Sequence, residues 1–208
     1  MGKLFISEHP LIKSKMALLR DKKTSPKEFK ELVNEITMLL TYEATRDLPL
    51  TAVKVETPMA VADCEKLAEE VVIVPILRAG IGMVDGMTTL LPNARIGHIG
   101  IYRDPESLVP VEYYSKVPSS IEDSEVFVVD PMLATGGSAE AAITFLKEKG
   151  AKKLTMICIV ASPLGVKAIQ DIHTDVDIYT AAYDTKVDEN GYIVPGLGDA
   201  GDRIFGTK

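Results

Sequence analysis

Hydrophobic positions in this chain follow two alternating rhythms. Short β-branched runs, which suit buried strands, are separated by longer stretches with apolar residues three or four apart, which suit amphipathic helices. The first clear helix opens at Ser25, Pro26, Lys27 and Glu28. A cap serine, a proline at the first helical position and a capping-box glutamate there precede Phe29, Leu32, Val33, Ile36, Leu39 and Leu40 at helical spacing. VVIVPIL at 71–77 reads as a strand, followed by a helical pattern over 82–91; further strands are expected at 95–102 and 126–129. A helix over 138–149 closed by Gly150, a strand at 154–160, a helix over about 163–172 and a strand at 177–182 complete the series. Such alternation needs crossover connections, so the expected fold class is α/β, a mainly parallel sheet flanked by helices on both faces. Ligands of such sheets sit beyond the carboxyl ends of the strands.

Two segments break the rhythm. Residues 104–120, DPESLVPVEYYSKVPSS, alternate apolar and polar positions between prolines, which predicts a projecting β-hairpin arm. Residues 188–208 carry Gly191, Gly196, Gly198, Gly201 and Gly206, too many for a helix or an ordinary strand. The same tail holds Tyr192, Ile193, Val194 and Phe205, so it is expected to be ordered and part of a site. With no repeat, low-complexity stretch or interdomain linker, residues 1–208 read as a single domain with an arm and a tail.

Composition narrows the function classes. The 208 residues are 46% hydrophobic, enough for a substantial core rather than disorder. Twenty-three Lys and Arg against 30 Asp and Glu give a net charge of −7, the wrong sign for a general nucleic-acid binder, so no nucleic-acid partner is expected. Cys64 and Cys158 have neither CxxC nor metal-ligand spacing, which suggests a reduced compartment and two inert thiols. Charged residues interrupt the first twenty positions, leaving no signal-peptide core, and the apolar run at 71–77 is too short to span a bilayer. The expected location is cytoplasmic. His9, His98 and His173 lie apart, without metal spacing or a nucleophile partner, and structural roles are expected for all three.

The chemistry concentrates at residues 126–138, VFVVDPMLATGGS. A buried strand ends at Asp130, and Gly136-Gly137 turns the chain into a helix whose apolar face is Ala139, Ala142, Ile143 and Leu146. The first N–H groups of a helix have no intrahelical partner and carry the positive end of its dipole, so a phosphate can rest there without a lysine. Thr135 and Ser138 add hydroxyl donors, and Asp130 can accept hydrogen bonds from sugar hydroxyls. A Walker loop is disfavoured by the missing lysine, and no strand is followed by GxGxxG. A plain strand-to-helix turn is the alternative.

This segment resembles the phosphoribosyl-diphosphate signature of the type I phosphoribosyltransferases, and the wording DPMLATGGS resembles its uracil phosphoribosyltransferase version. Most of that family has two adjacent acids at the strand end; here the second position is Pro131. The resemblance implies the type I phosphoribosyltransferase fold, and an activity that joins uracil to 5-phospho-α-D-ribose 1-diphosphate (PRPP) to give UMP and diphosphate. It implies PRPP contacts from Asp130, Pro131, Met132, Leu133, Ala134, Thr135, Gly136, Gly137 and Ser138. Arg78, in PILRAG at 75–80, and Arg103, in RDPES, are implied as diphosphate-binding and catalytic residues, although Arg78 taken alone reads more readily as a solvated arginine. The arm with Tyr113, Tyr114 and Lys116 resembles the family's flexible loop; a solvated arm packing on another subunit is the alternative. The tail wording GLGDAGDRIFGT resembles the uracil-enzyme C-terminus, implying Ile193, Gly198, Asp199 and Ala200 as uracil-binding and Asp199 as a catalytic residue that also contacts PRPP.

Further implications are Mg²⁺ bound through the substrate diphosphate and water rather than by a protein metal site, a homodimer or larger assembly, and GTP as an effector, to which no residue is assigned. Two rival readings stay open: an RNA-binding regulator built on the same fold, and an enzyme of the same family acting on a purine or orotate.

Overall fold

A computed structural model describes residues 2–103 and 110–207, without the side chains of Arg103 and Pro110. The chain begins with β1 (Leu4–Ile6), α1 (Pro10–Arg20) and α2 (Pro26–Ala44). As expected, Ser25 caps α2 in a capping box: the Glu28 N–H donates to the Ser25 hydroxyl, and the Ser25 N–H donates to the Glu28 carboxylate. Then follow β2 (Leu50–Glu56), β3 (Val61–Leu67), β4 (Glu70–Leu77), α3 (Ile81–Leu90), β5 (Arg95–Ile96), β6 (His98–Arg103) and β7 (Pro110–Lys116). The remainder comprises β8 (Ser124–Val129), β9 (Met132–Leu133), α4 (Gly137–Glu148), β10 (Lys153–Ala161), α5 (Pro163–Ile172), β11 (Asp177–Tyr183), β12 (Lys186–Val187), β13 (Ile193–Val194) and α6 (Ala200–Phe205).

The central sheet runs β1-β11-β10-β8-β4-β6-β7, parallel except for the β6–β7 pair. The expected α/β class is therefore the observed one. Alternate residues of each central strand enter different cores. Ile73, Phe127 and Ile157 pack toward α1, α2 and α3 with Phe29, Ile36 and Met83. Val74, Val128 and Met156 pack toward α4 and α5 with Ile143, Leu146 and Ile169. Burial on both faces explains why these strands read as unbroken apolar runs.

Several expectations change. The strand expected at 95–102 divides at Gly97 into β5 and β6, both pairing with β4. β7 pairs with β6 at the sheet edge, so the strand preceding residues 104–120 is itself one side of that hairpin; residues 104–109 lie outside the described residues. The tail, read as too glycine-rich for a helix, forms α6. Asp199 caps its start by accepting from the Asp202 N–H at 2.9 Å, and left-handed Gly206 ends it, so only Gly201 lies within the helix. Neither α1 nor the β2–β3 hairpin is among the expected elements; α1 buries Ile12, Met16 and Leu19 at helical spacing behind Pro10, and the hairpin strands are largely exposed. Two histidines have structural partners: His9 Nδ1 accepts from the Leu11 N–H, and buried His173 Nε2 lies 3.0 Å from the Thr144 hydroxyl.

A candidate phosphate and base site at the strand ends

Three strand ends and the tail meet on one side of the sheet. β4 delivers Arg78, β8 delivers Asp130, and the tail crosses beside them; β6 ends at Arg103, whose side chain lies outside the described residues. β4 pairs with both β6 and β8, so the backbone brings all three ends into one row.

After Val129 the chain does not enter its helix at once. The Pro131 carbonyl accepts from the Ile159 and Val160 N–H groups, which binds residues 131–133 to the side of β10 as β9. Gly136 then adopts φ +86°, and a Cβ there would stand 2.5 Å from Ala168 Cβ and 2.9 Å from the Gly165 carbonyl oxygen, so this turn requires glycine. α4 follows with the expected buried face of Ala139, Ala142, Ile143 and Leu146. Ser162 fixes the loop from beneath, donating its hydroxyl to the Ala134 carbonyl while capping α5 through the Gly165 N–H. Patterning did not single out Ser162; its position before Pro163 was a legible cap signal.

Two cavities adjoin here. One, of about 270 Å³, lies over the α4 N-terminus and is lined by Asp130, Met132, Leu133, Ala134, Thr135, Gly136, Gly137 and Ser138, with Ala139, Asn190 and Gly191. The other, of about 220 Å³, lies under the tail and is lined by Ile193, Gly198, Asp199 and Ala200, with Ala79, Tyr192 and Gly201. Asp130, Met132, Ala134 and Gly191 line both, so the two spaces adjoin along these four residues. The structure thus brings the loop and tail candidates together. Pro131 is buried and lines neither cavity. Arg78 also lines neither; it stands at the rim beside Ala79, and its Nη2 is 3.7 Å from Asp202 Oδ1. Gly191 and Tyr192 belong to the tail expected to be part of a site but were given no role there, and Asn190 was not singled out.

The electrostatics suit a neutral or hydroxyl-bearing group at the junction and an anion over α4. Burial pushes the Asp130 carboxyl up to about 7, opposed by one hydrogen bond from the Met132 N–H to Oδ1 at 3.2 Å. Behind it, burial also pushes the Cys158 thiol up to about 12, which makes this thiol inert. Tyr192 extends its hydroxyl to 3.4 Å from Asp199 Oδ2. Among the described residues no group of three or more His, Cys, Asp or Glu is placed to hold a metal ion. Among the described residues no helix is long and apolar enough to cross a membrane.

Comparison with known proteins agrees with this geometry. The chain matches the family model described as uracil phosphoribosyltransferase over residues 6–207. It is 60% identical to the uracil phosphoribosyltransferase of Pediococcus pentosaceus, over the full length of both chains. The solved structure of the AQ2163 protein from Aquifex aeolicus superposes with a TM-score of 0.92 at 36% identity, covering 97% of each chain. Adenine phosphoribosyltransferase from Trypanosoma brucei, solved with AMP, pyrophosphate and ribose-5-phosphate, shares the fold at a TM-score of 0.58 and 14% identity, covering 92% of this chain and 88% of that one.

Proposed function

The chain belongs to the uracil phosphoribosyltransferase family, and from that premise we propose that it transfers the phosphoribosyl group of PRPP to N1 of uracil, releasing diphosphate. The bond from the anomeric carbon to the diphosphate oxygen breaks, a bond to N1 forms, and the N1 proton leaves. The observation that carries this reading is the pair of adjoining cavities that share Asp130 in their lining. A 5′-phosphate over the α4 N-terminus and a base under the tail would leave the ribose hydroxyls beside Asp130.

The residue roles follow from chemistry. Residues 134–138 offer hydroxyls and the open N–H groups of a helix start, which suits a phosphate monoester. Arg78, exposed at the rim, and Arg103, at the end of the neighbouring strand, are assigned to the departing diphosphate, for which a guanidinium fork is better matched than an ammonium. Ile193, Gly198 and Ala200 are assigned to the base, whose carbonyls and N3–H suit backbone donors and acceptors. Asp199 is assigned to receive the N1 proton. Its Oδ1 already caps α6, so Oδ2, the oxygen facing Tyr192, is the one left for that task. Positioning and preorganised charge, rather than a protein nucleophile, supply the rate.

Mg²⁺ is proposed to arrive as part of the substrate, held by diphosphate oxygens and water, because the strand end offers only Asp130, and Pro131 fills the position of a second acid. Homo-oligomeric assembly is supported by the apolar side chains that β2, β3 and their connection leave exposed, including Leu50, Met59 and Val61. A cytoplasmic location and GTP as an effector rest on the family resemblance. The direct test is diphosphate release from PRPP by the purified chain: it should require both Mg²⁺ and uracil, and uracil-independent release would contradict the reading.

A further inference from the structure

The segment assigned to uracil is tied to the far end of α1 by two arginines. Arg20 meets Asp184 in a two-point pair, Nη1 to Oδ2 at 2.7 Å and Nη2 to Oδ1 at 2.9 Å, and Nη1 also donates to the Gly196 carbonyl at 2.9 Å. Asp184 Oδ2 in turn accepts from the Gly196 N–H at 2.9 Å, so one ion pair engages both polar groups of that peptide position. Arg203 spans the other side. Its Nη1 donates to the carbonyls of Leu197, at 2.9 Å, and Leu19, at 3.0 Å; its Nη2 donates to that of Asp21, at 2.6 Å; and its guanidinium lies 4.1 Å over the Phe29 ring. Both forks sit at the C-terminus of α1, where unpaired carbonyls and the negative dipole end favour cations.

These contacts converge on residues 196 and 197, immediately before Gly198. The tail does not need them to be buried, since Ile193, Leu197 and Ile204 already pack into the apolar core. The Asp184 side chain is only 10% exposed, and a buried ion pair is a poor source of stability compared with apolar packing. What the forks supply is direction. Gly196 has φ +55°, and a Cβ there would overlap the Ile193 carbonyl, so the turn is closely constrained and the arginines fix which way residues 196–198 face. A recognition surface made of backbone groups cannot be corrected by rotating a side chain, so its aim depends on such ties.

We propose that Arg20, Asp184 and Arg203 are positioning residues for base recognition, holding residues 196–198 at the angle that uracil requires. This rests on the proposed uracil site. The test compares the full-length chain with Arg203→Lys, which keeps the charge and loses the fork, and with Asp184→Asn, which keeps the shape and loses the ion pair. Hydrogen exchange at amides 196–201 and the two Michaelis constants are measured together. Faster exchange in the tail with unchanged protection in β4 and β8 is expected, along with a rise in the uracil KM of about tenfold and a PRPP KM within about twofold of wild type. Arg20→Lys should reproduce the pattern if either variant fails to fold. Unchanged exchange, faster exchange without a change in uracil KM, or equal weakening of both substrates would overturn the proposal. A wild-type chain that makes no UMP would sink the parent reading and the base assignment, while the exchange measurement would still report separately on the tie.

Discussion

Arg78 Nη2 stands 3.7 Å from Asp202 Oδ1, joining the loop after β4 to the helix that ends the glycine-rich tail. The arginine side chain is 62% exposed, so the pair contributes less than about 1 kcal/mol and leaves the guanidinium available to a stronger anion. Arg78→Ala is therefore expected to lower kcat/KM for PRPP by about 10²- to 10³-fold, with little recovery in Arg78→Lys, because the fork is lost. Broken from its exposed arginine side, by Arg78→Ala, the pair should change unfolding free energy by less than about 1 kcal/mol. Steady-state kinetics and denaturant melts check both.

Asp130 sets a pH signature. Its carboxyl is raised to about 7, so the folded chain binds this proton more tightly than the unfolded one. The stabilising contribution is fully present below the ordinary carboxylate range and is lost as pH rises toward 7. Asp130→Asn, which cannot ionise, should be more stable than wild type by roughly 1–3 kcal/mol at pH 8 and nearly equal to it at pH 4. PRPP binding should run the other way. In the proposed role ionised Asp130 would accept from ribose hydroxyls, so wild-type affinity should improve through pH 7 and the variant should lose that part of the dependence, as calorimetric titration across pH would show.

The turn at Gly136 has no room for a side chain. Gly136→Ala forces a left-handed residue and a clash with Ala168 and the Gly165 carbonyl. A loss of about 1–3 kcal/mol in stability is expected, together with a PRPP KM raised about tenfold or more. Thermal melts and kinetics on one preparation check both effects.

Asp199 combines a cap with a proposed chemical role, and the two can be separated. Asparagine caps a helix as well as aspartate does, so Asp199→Asn should stay within about 0.5 kcal/mol of wild type while kcat falls about 10²-fold. Asp199→Ala should lose the activity and about 1 kcal/mol of stability as well. Equal turnover in the asparagine variant and wild type would remove the proton-accepting role.

The parallel core was legible because both faces of its strands are buried: β4 and β8 read as unbroken apolar runs, and α2 announced itself through Ser25, Pro26 and Glu28. The β2–β3 hairpin was not read, since its strands lie largely in solvent and its alternation, Val53-Lys54-Val55-Glu56 and Ala62-Asp63-Cys64-Glu65, is short and faces no buried core. In the tail, counting glycines hid α6, because its determinants are single positions, Asp199 as cap and Gly206 as terminator, rather than a periodic face. Among the site residues, those within local wording such as ATGGS could be read from the chain. Asn190 could not, because only tertiary packing brings it to the cavity, and Ser162 was legible as a cap before Pro163 but not as the residue beneath the loop. The Arg20–Asp184 pair lies beyond any local pattern, joining residues 164 positions apart.

In the proposed function, the tail chooses uracil for a phosphoribosyl group held over α4. The most direct measurement supplies the purified chain with Mg²⁺, PRPP and an equimolar mixture of uracil, orotate, adenine and hypoxanthine, and identifies the nucleotides formed by mass. UMP should be the dominant product. No UMP, or a purine nucleotide or orotidylate in comparable yield, would contradict it.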